Sequence, residues 1–201
     1  PWAGLAAFKE KNFRAAALGY FGHCWELYAL WALVPFLVAR ELERLGAAPG
    51  LQPWLSFAVI ALGLPGCVWA GWWSRRIGSA RVAFIALAVS GTLCLIYPLL
   101  GDLSPWLLLA LLALWGVSVI ADSAQFSALA SASAPPERLG AALAMMNAIG
   151  FGLTIPSIAL VTALWASQGP WVIWWLLPGP VLGLIAMRGL HLRTHLRTTQ
   201  P

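Results

Sequence analysis

Six apolar runs, separated by short turn-forming stretches, occupy almost the whole sequence. They cover roughly residues 15–39, 54–73, 82–100, 106–132, 140–166 and 171–187, each close to the about 20 residues a helix needs to cross a bilayer. Between them lie Leu45 to Gly50, Ser74 to Arg81, Gly101 to Pro105, Ala134 to Arg138 and Gln168 to Pro170, which carry loop and helix-ending signals. The composition agrees. Of 201 residues 61% are hydrophobic and 9% charged, with a mean hydropathy of +0.80, whereas soluble domains are about 45–50% apolar and about 25% charged. Too few polar groups remain to cover a water-facing globule, which argues against a soluble enzyme or a nucleic-acid-binding domain. The net charge of +5 has no basic face with interleaved aromatics to accompany it. The fold expected is an all-α integral membrane protein of six transmembrane helices, with residues 1–14 as a lead-in and 191–201 as a basic tail.

An even number of spans puts both termini on one side. With the N-terminus inside, Lys9, Lys11, Arg14, Arg75, Arg76, Arg81, Arg138, Arg188, Arg193 and Arg197 share one face, 10 of the 12 basic residues, leaving only Arg40 and Arg44 for the other. The positive-inside rule then places both termini in the cytoplasm. Among the 13 tryptophans, Trp54, Trp72, Trp73, Trp106, Trp165, Trp171 and Trp174 lie near the ends of the runs, where amphipathic rings anchor at headgroup level. Cys24, Cys67 and Cys94 fall inside apolar segments and read as buried thiols, with no disulfide framework or metal site expected. The glycines of the second run, Gly63 and Gly66 with Ala70, form a close-approach face. Gly150, Gly152 and Pro156 in the fifth, and Leu177-Pro178-Gly179-Pro180 in the sixth, are packing kinks or hinges. A Gly-rich phosphate loop and a nucleophile elbow are missing from the sequence, and neither enzyme chemistry nor a cofactor is expected.

Of the seven acidic residues, Glu10, Glu41, Glu43, Asp102 and Glu137 fall in loops or at segment ends, leaving Glu26 and Asp122 deep inside spans. Each costs about 2.5–3.5 kcal/mol if left charged at the centre of a membrane helix, so such residues usually face a bundle interior or a cavity. A 100° step puts Tyr20, His23 and Glu26 on one side of the first span, with His23 and Glu26 three residues apart and able to touch. Trp115, Ser118, Asp122 and Gln125 share a stripe on the fourth, and Asn147 begins a weaker one on the fifth. Glu26 is 12 residues from Arg14 and Asp122 is 12 from Ala134, so both lie roughly 18 Å from the inner edge at about 1.5 Å per residue. Two carboxyls at one depth, with a histidine beside them, suit a protonatable pathway for a solute. The alternative is a static polar pair that fixes helix packing.

Two stretches resemble the C-terminal six-helix half of the major facilitator superfamily. Gly19-Tyr20-Phe21-Gly22-His23-Cys24-Trp25-Glu26-Leu27-Tyr28 looks like the seventh helix of a bacterial group in which Gly-His-x-Trp-Glu-Leu-Tyr recurs. Ile120-Ala121-Asp122-Ser123-Ala124-Gln125-Phe126-Ser127, with Pro135 to Gly140 after it, looks like that group's tenth helix and following loop. Gly71 to Gly78 resembles the superfamily's cytoplasmic motif Gly-x-x-x-Asp-Arg-x-Gly-Arg-Arg. Arg75 stands in place of the Asp, and Ser79 and Ala80 in place of the final basic pair, leaving Gly71, Arg75, Arg76, Gly78 and Arg81 as a cytoplasmic gate loop. The resemblance implies a three-plus-three inverted repeat with the first and fourth spans lining the cavity. It implies a proton-coupled secondary transporter moving a small solute across a bacterial inner membrane by alternating access. A second six-helix half is then needed, upstream in the same polypeptide or on another chain, and Pro1 without a preceding Met fits a chain that is part of something larger. The reading from a different class is a non-transporting scaffold, a half-transporter that docks a partner.

Overall fold

The computed structural model describes the backbone of residues 2–198 and the side chains of residues 4–190. It is 91% helical, with no strand among the described residues. The α-helices are α1 (Lys11–Arg44), α2 (Gln52–Ala61), α3 (Gly63–Ile77), α4 (Ser79–Ile96), α5 (Pro105–Ala121), α6 (Ser123–Ser133), α7 (Leu139–Gln168) and α8 (Pro178–Thr198). Five helical stretches are long and apolar enough to cross a membrane: Lys11–Arg44, Pro49–Ile77, Ser79–Ile96, Pro105–Ser133 and Pro136–Leu190.

The last of these holds both of the final two apolar runs, and at 55 residues it would extend roughly 80 Å if straight, far beyond a core of about 30 Å. It is not straight. Gly169 takes φ 55°, a left-handed conformation that favours glycine, and Gly169–Leu176 is a 3-10 segment where a membrane helix was expected to begin. Gly150 on α7 faces Tyr20 and Cys24 of α1, while Gly183 on α8 faces Gly19, so α7 and α8 lie side by side against the same turns of α1. The 3-10 segment exposes carbonyls that a regular helix would satisfy, and neighbouring side chains supply the donors. Trp25 Nε1 donates to Trp175 O at 2.9 Å, and Cys94 Sγ to Ile173 O at 3.1 Å.

Other boundaries also differ from the sequence expectation. The run 54–73 is divided at Leu62 and the run 106–132 at Asp122. The two breaks meet, with Cys67 Sγ donating to Ile120 O at 3.4 Å. The expected loop Ser74 to Arg81 is mostly helix, reduced to the single residue Gly78, whose φ of 88° turns the chain from α3 into α4. Residues 1–14 are no bare lead-in: Trp2–Lys9 is a 3-10 segment with Ala7 fully buried, followed by the first turn of α1. The backbone of α8 runs on to Thr198, so much of the expected tail 191–201 is helix; its side chains lie outside the described residues.

Helix α1 is central, packing on α5, α6, α7 and α8. Helix α5 in turn packs on α2, α3 and α4, and α4 packs on α8. Several crossings are backbone against backbone. A Cβ on Gly22 would collide with the Gly179 carbonyl, and one on Gly116 with the Val59 carbonyl. Close approach of this kind is how membrane helices gain packing energy when lipid is as apolar as leucine. Replacing Gly22 by Ala should therefore cost about 1–3 kcal/mol as an overpacked contact. Gly71, with nothing within 4 Å of the same position, should accept Ala with little change. Thermal unfolding of the detergent-purified variants checks this, and equal midpoints for the two would contradict the packing described.

Candidate functional site: a buried polar cluster

Two large apolar clusters, with a small third one at Ala70, Val82, Ala86 and Ala121, form the core. One gathers Phe13, Ala16, Tyr20, Phe126, Met146 and Met187; the other gathers Leu30, Leu33, Leu37, Leu112 and Trp115. The ionisable side chains sit at the joint between them, on the second turn past Gly19 in α1 and at the break between α5 and α6. His23 Nδ1 lies 2.8 Å from Asp122 Oδ1, each side chain 2% exposed. Among the described residues Asp122 Oδ1 is buried with no other polar partner than this close ring nitrogen. The His23 ring stacks at 6.0 Å on Tyr20 and packs at 5.9 Å on Phe126, which fixes its orientation.

Glu26 pairs elsewhere than with His23. Its Oε1 accepts from Ser90 Oγ on α4 and, at 2.9 Å, from Trp115 Nε1 on α5. Trp115 is fully buried, with its Nε1 also 3.0 Å from Ser90 Oγ. A carboxylate in a low-dielectric interior needs such donors, since the charge is otherwise unsolvated. Ser90, which the sequence reading missed, completes a three-helix junction. Its signal was faint: one hydroxyl in the third run, indistinguishable by type from Thr92 two residues on.

The remaining candidates divide. Tyr20 packs beside His23, and Gln125 is buried one turn into α6. Ser118 is buried but returns its hydroxyl to Trp115 O at 3.2 Å, satisfying itself within the helix. Asn147 is exposed on α7 and does not join the cluster. The wet pathway expected from the three stripes is not open in this arrangement: His23, Glu26, Ser90 and Asp122 are all buried. In the segment expected to form a gate loop, Arg75 and Arg76 are exposed in the last turn of α3, where the helix dipole favours cations. The Arg76 guanidinium lies 4.1 Å over the Trp72 ring. Gly71 is inside the helix, its carbonyl accepting from Ser74 Oγ, and Arg81 is half-buried in the first turn of α4.

A second polar group lies at the far end of α1. Glu41, read from sequence as a segment-end charge, is fully buried, and both its oxygens are taken, by Arg40 and by Arg44 at 2.6 Å. The same arginines reach the α4–α5 connection, Arg40 donating to Gly101 O at 3.0 Å and Arg44 to Leu103 O at 2.7 Å. The placement of basic residues one before and three after this glutamate was visible in the sequence, but the burial was not.

No family model matches this chain, and neither a curated protein nor a solved structure matches it significantly.

Because Ser90 and Trp115 donate to one oxygen, their losses should be coupled. Ser90→Ala and Trp115→Phe should each destabilise the purified protein by about 1–3 kcal/mol. The double variant should depart from the sum by more than about 0.5 kcal/mol. Denaturant titration in mild detergent checks both, and two additive near-zero effects would remove the network.

Proposed function

We propose that this chain is one six-helix half of a proton-coupled secondary transporter, in which His23, Asp122 and Glu26 carry the coupling proton and a small solute crosses by alternating access. The observation that carries the reading is the placement of three ionisable side chains, each at most 2% exposed, where first and fourth apolar runs meet. An acid with an oxygen lacking any hydrogen bond, as at Asp122, has a place for a proton. A histidine 2.8 Å away gives that proton somewhere to go.

Helix adjacency supports the three-plus-three repeat that the facilitator resemblance implies. Taking the six runs as spans, the first packs on the fifth and sixth, the fourth packs on the second and third, the first and fourth touch, and so do the third and sixth. Exchanging spans one to three with four to six leaves this pattern unchanged, as an inverted repeat requires. Charge supports the orientation. Arg40 and Arg44 bond the 101–103 connection at one end of the bundle, while Arg14, Arg75, Arg76, Arg138 and Arg188 belong to the other, cytoplasmic in a bacterial inner membrane. The solute, the protons and the second half are the partners of this reading. The dry packing of the cluster favours the scaffold reading in one respect, because Glu26 is already held by two donors.

Function separates the two. A panel of sugars, amino acids and organic ions is screened for thermal stabilisation of the full protein, and the stabilising solute is followed into proteoliposomes under an imposed pH gradient. Gradient-driven accumulation is expected for the wild type. Glu26→Gln and Asp122→Asn are expected to lose it by at least about tenfold, an interaction of roughly 1.4 kcal/mol or more, while still inserting and folding. Wild-type accumulation in both variants would remove the coupling role, and a protein that moves no solute would favour the scaffold.

A further inference from the structure

An apolar groove of about 620 Å³ runs between α1, α7 and α8, outside the polar cluster. Its walls include Leu18, Gly22 and Trp25 on α1, Leu153 on α7, and Gly179 and Ala186 on α8. The floor is the backbone contact of Gly22 with Gly179, and its open side continues into Leu182 and Ile185, 62% and 63% exposed. At its lower end the lining stops where cations begin. Arg188 is exposed two residues past Ala186, and Arg14 is exposed one turn before Leu18, on the same face of α1 as Leu18, Phe21 and Trp25. Arg14 donates one N–H to Phe8 O at 3.2 Å and is otherwise exposed.

We propose that this groove binds one anionic phospholipid, with an acyl chain lying along Trp25, Gly22 and Leu18 and the phosphate held by Arg188 and Arg14. The chemistry fits both ends of that ligand. The slot is apolar at membrane depth, where a chain replaces missing packing contacts. Two exposed arginines beyond this end of the groove offer positive charge and guanidinium donors suited to a phosphate. Zwitterionic lipid offers the same tail, but its ammonium opposes the two arginines. The inference depends only on α1 and α8 crossing a bilayer, not on transport.

The test reconstitutes the whole protein in vesicles of equal phosphatidylglycerol and phosphatidylethanolamine, each in turn carrying a photoactivatable acyl chain, and maps the cross-links by mass spectrometry. Phosphatidylglycerol should label the segments 18–25 and 182–186 preferentially. Arg14→Gln with Arg188→Gln should reduce that label about 25-fold, roughly fivefold for each charge lost at the surface. Ala186→Phe, which fills the slot, should reduce labelling by both lipids. The arginine variant alters exposed side chains only and decides the matter alone if Ala186→Phe does not fold. Label spread evenly over the exposed faces of α2 and α3, or unchanged in the double arginine variant, would overturn the proposal.

Discussion

Charge without water is the constraint on which the bundle depends. His23, Glu26 and Asp122 are buried where no solvent is available, and each uncompensated charge there would cost more than most single contacts return. They are tolerable only together with Ser90 and Trp115, and these five side chains come from α1, α4, α5 and the α5–α6 break. Satisfying them therefore fixes the rotation of α1 against three neighbours at once. Apolar packing alone is forgiving about rotation, because Leu, Val and Ala fit in many registers.

Around that joint the helices close by removing side chains rather than by interlocking large ones. Gly22 against Gly179, Gly116 against Val59 and Gly66 against Val117 bring backbones together, and the breaks at Leu62 and Asp122 meet at the same crossing. The break at Asp122 serves the site directly, since the carboxylate belongs to the residue that interrupts α5 and α6. At the far end of α1 the Arg40–Glu41–Arg44 group ties the helix to the α4–α5 connection. Helix α1 is thus held at two levels by polar contacts, with the leucine-rich core between them.

Much of this was legible in the sequence, for identifiable reasons. Apolar length gave the helices and the all-α class, because a membrane crossing needs a long uninterrupted run and little else. Burial of Glu26 and Asp122, and the approach of Asp122 to the first span, followed from depth. The partner of His23 did not: spacing along α1 suggested Glu26, but Glu26 is taken by Ser90 and Trp115 on other helices, and the His23 ring lies 2.8 Å from Asp122 instead. Asn147 was assigned to the site by a stripe whose period was right, yet it is exposed while Gly150, Thr154 and Ser157 farther along α7 are buried. Glu41 was misread because a helix end in the sequence need not be a helix end in space; α1 continues to Arg44 and keeps it covered. The 3-10 segment at Gly169–Leu176 was missed since its Trp and Ile residues read as membrane helix, and only donors from Trp25 and Cys94 make its carbonyls affordable.

Proton coupling, as proposed, requires this buried cluster to take up and release a proton. Infrared difference spectroscopy of the full protein in lipid, recorded between acidic and alkaline buffer, measures that directly through the carbonyl stretch of a protonated carboxyl. The account predicts a reversible band at a frequency typical of an apolar environment, diminished in Glu26→Gln or Asp122→Asn and shifted when His23 is replaced by Gln. A wild-type spectrum with no titrating carboxyl, or a band that all three substitutions leave untouched, would contradict it.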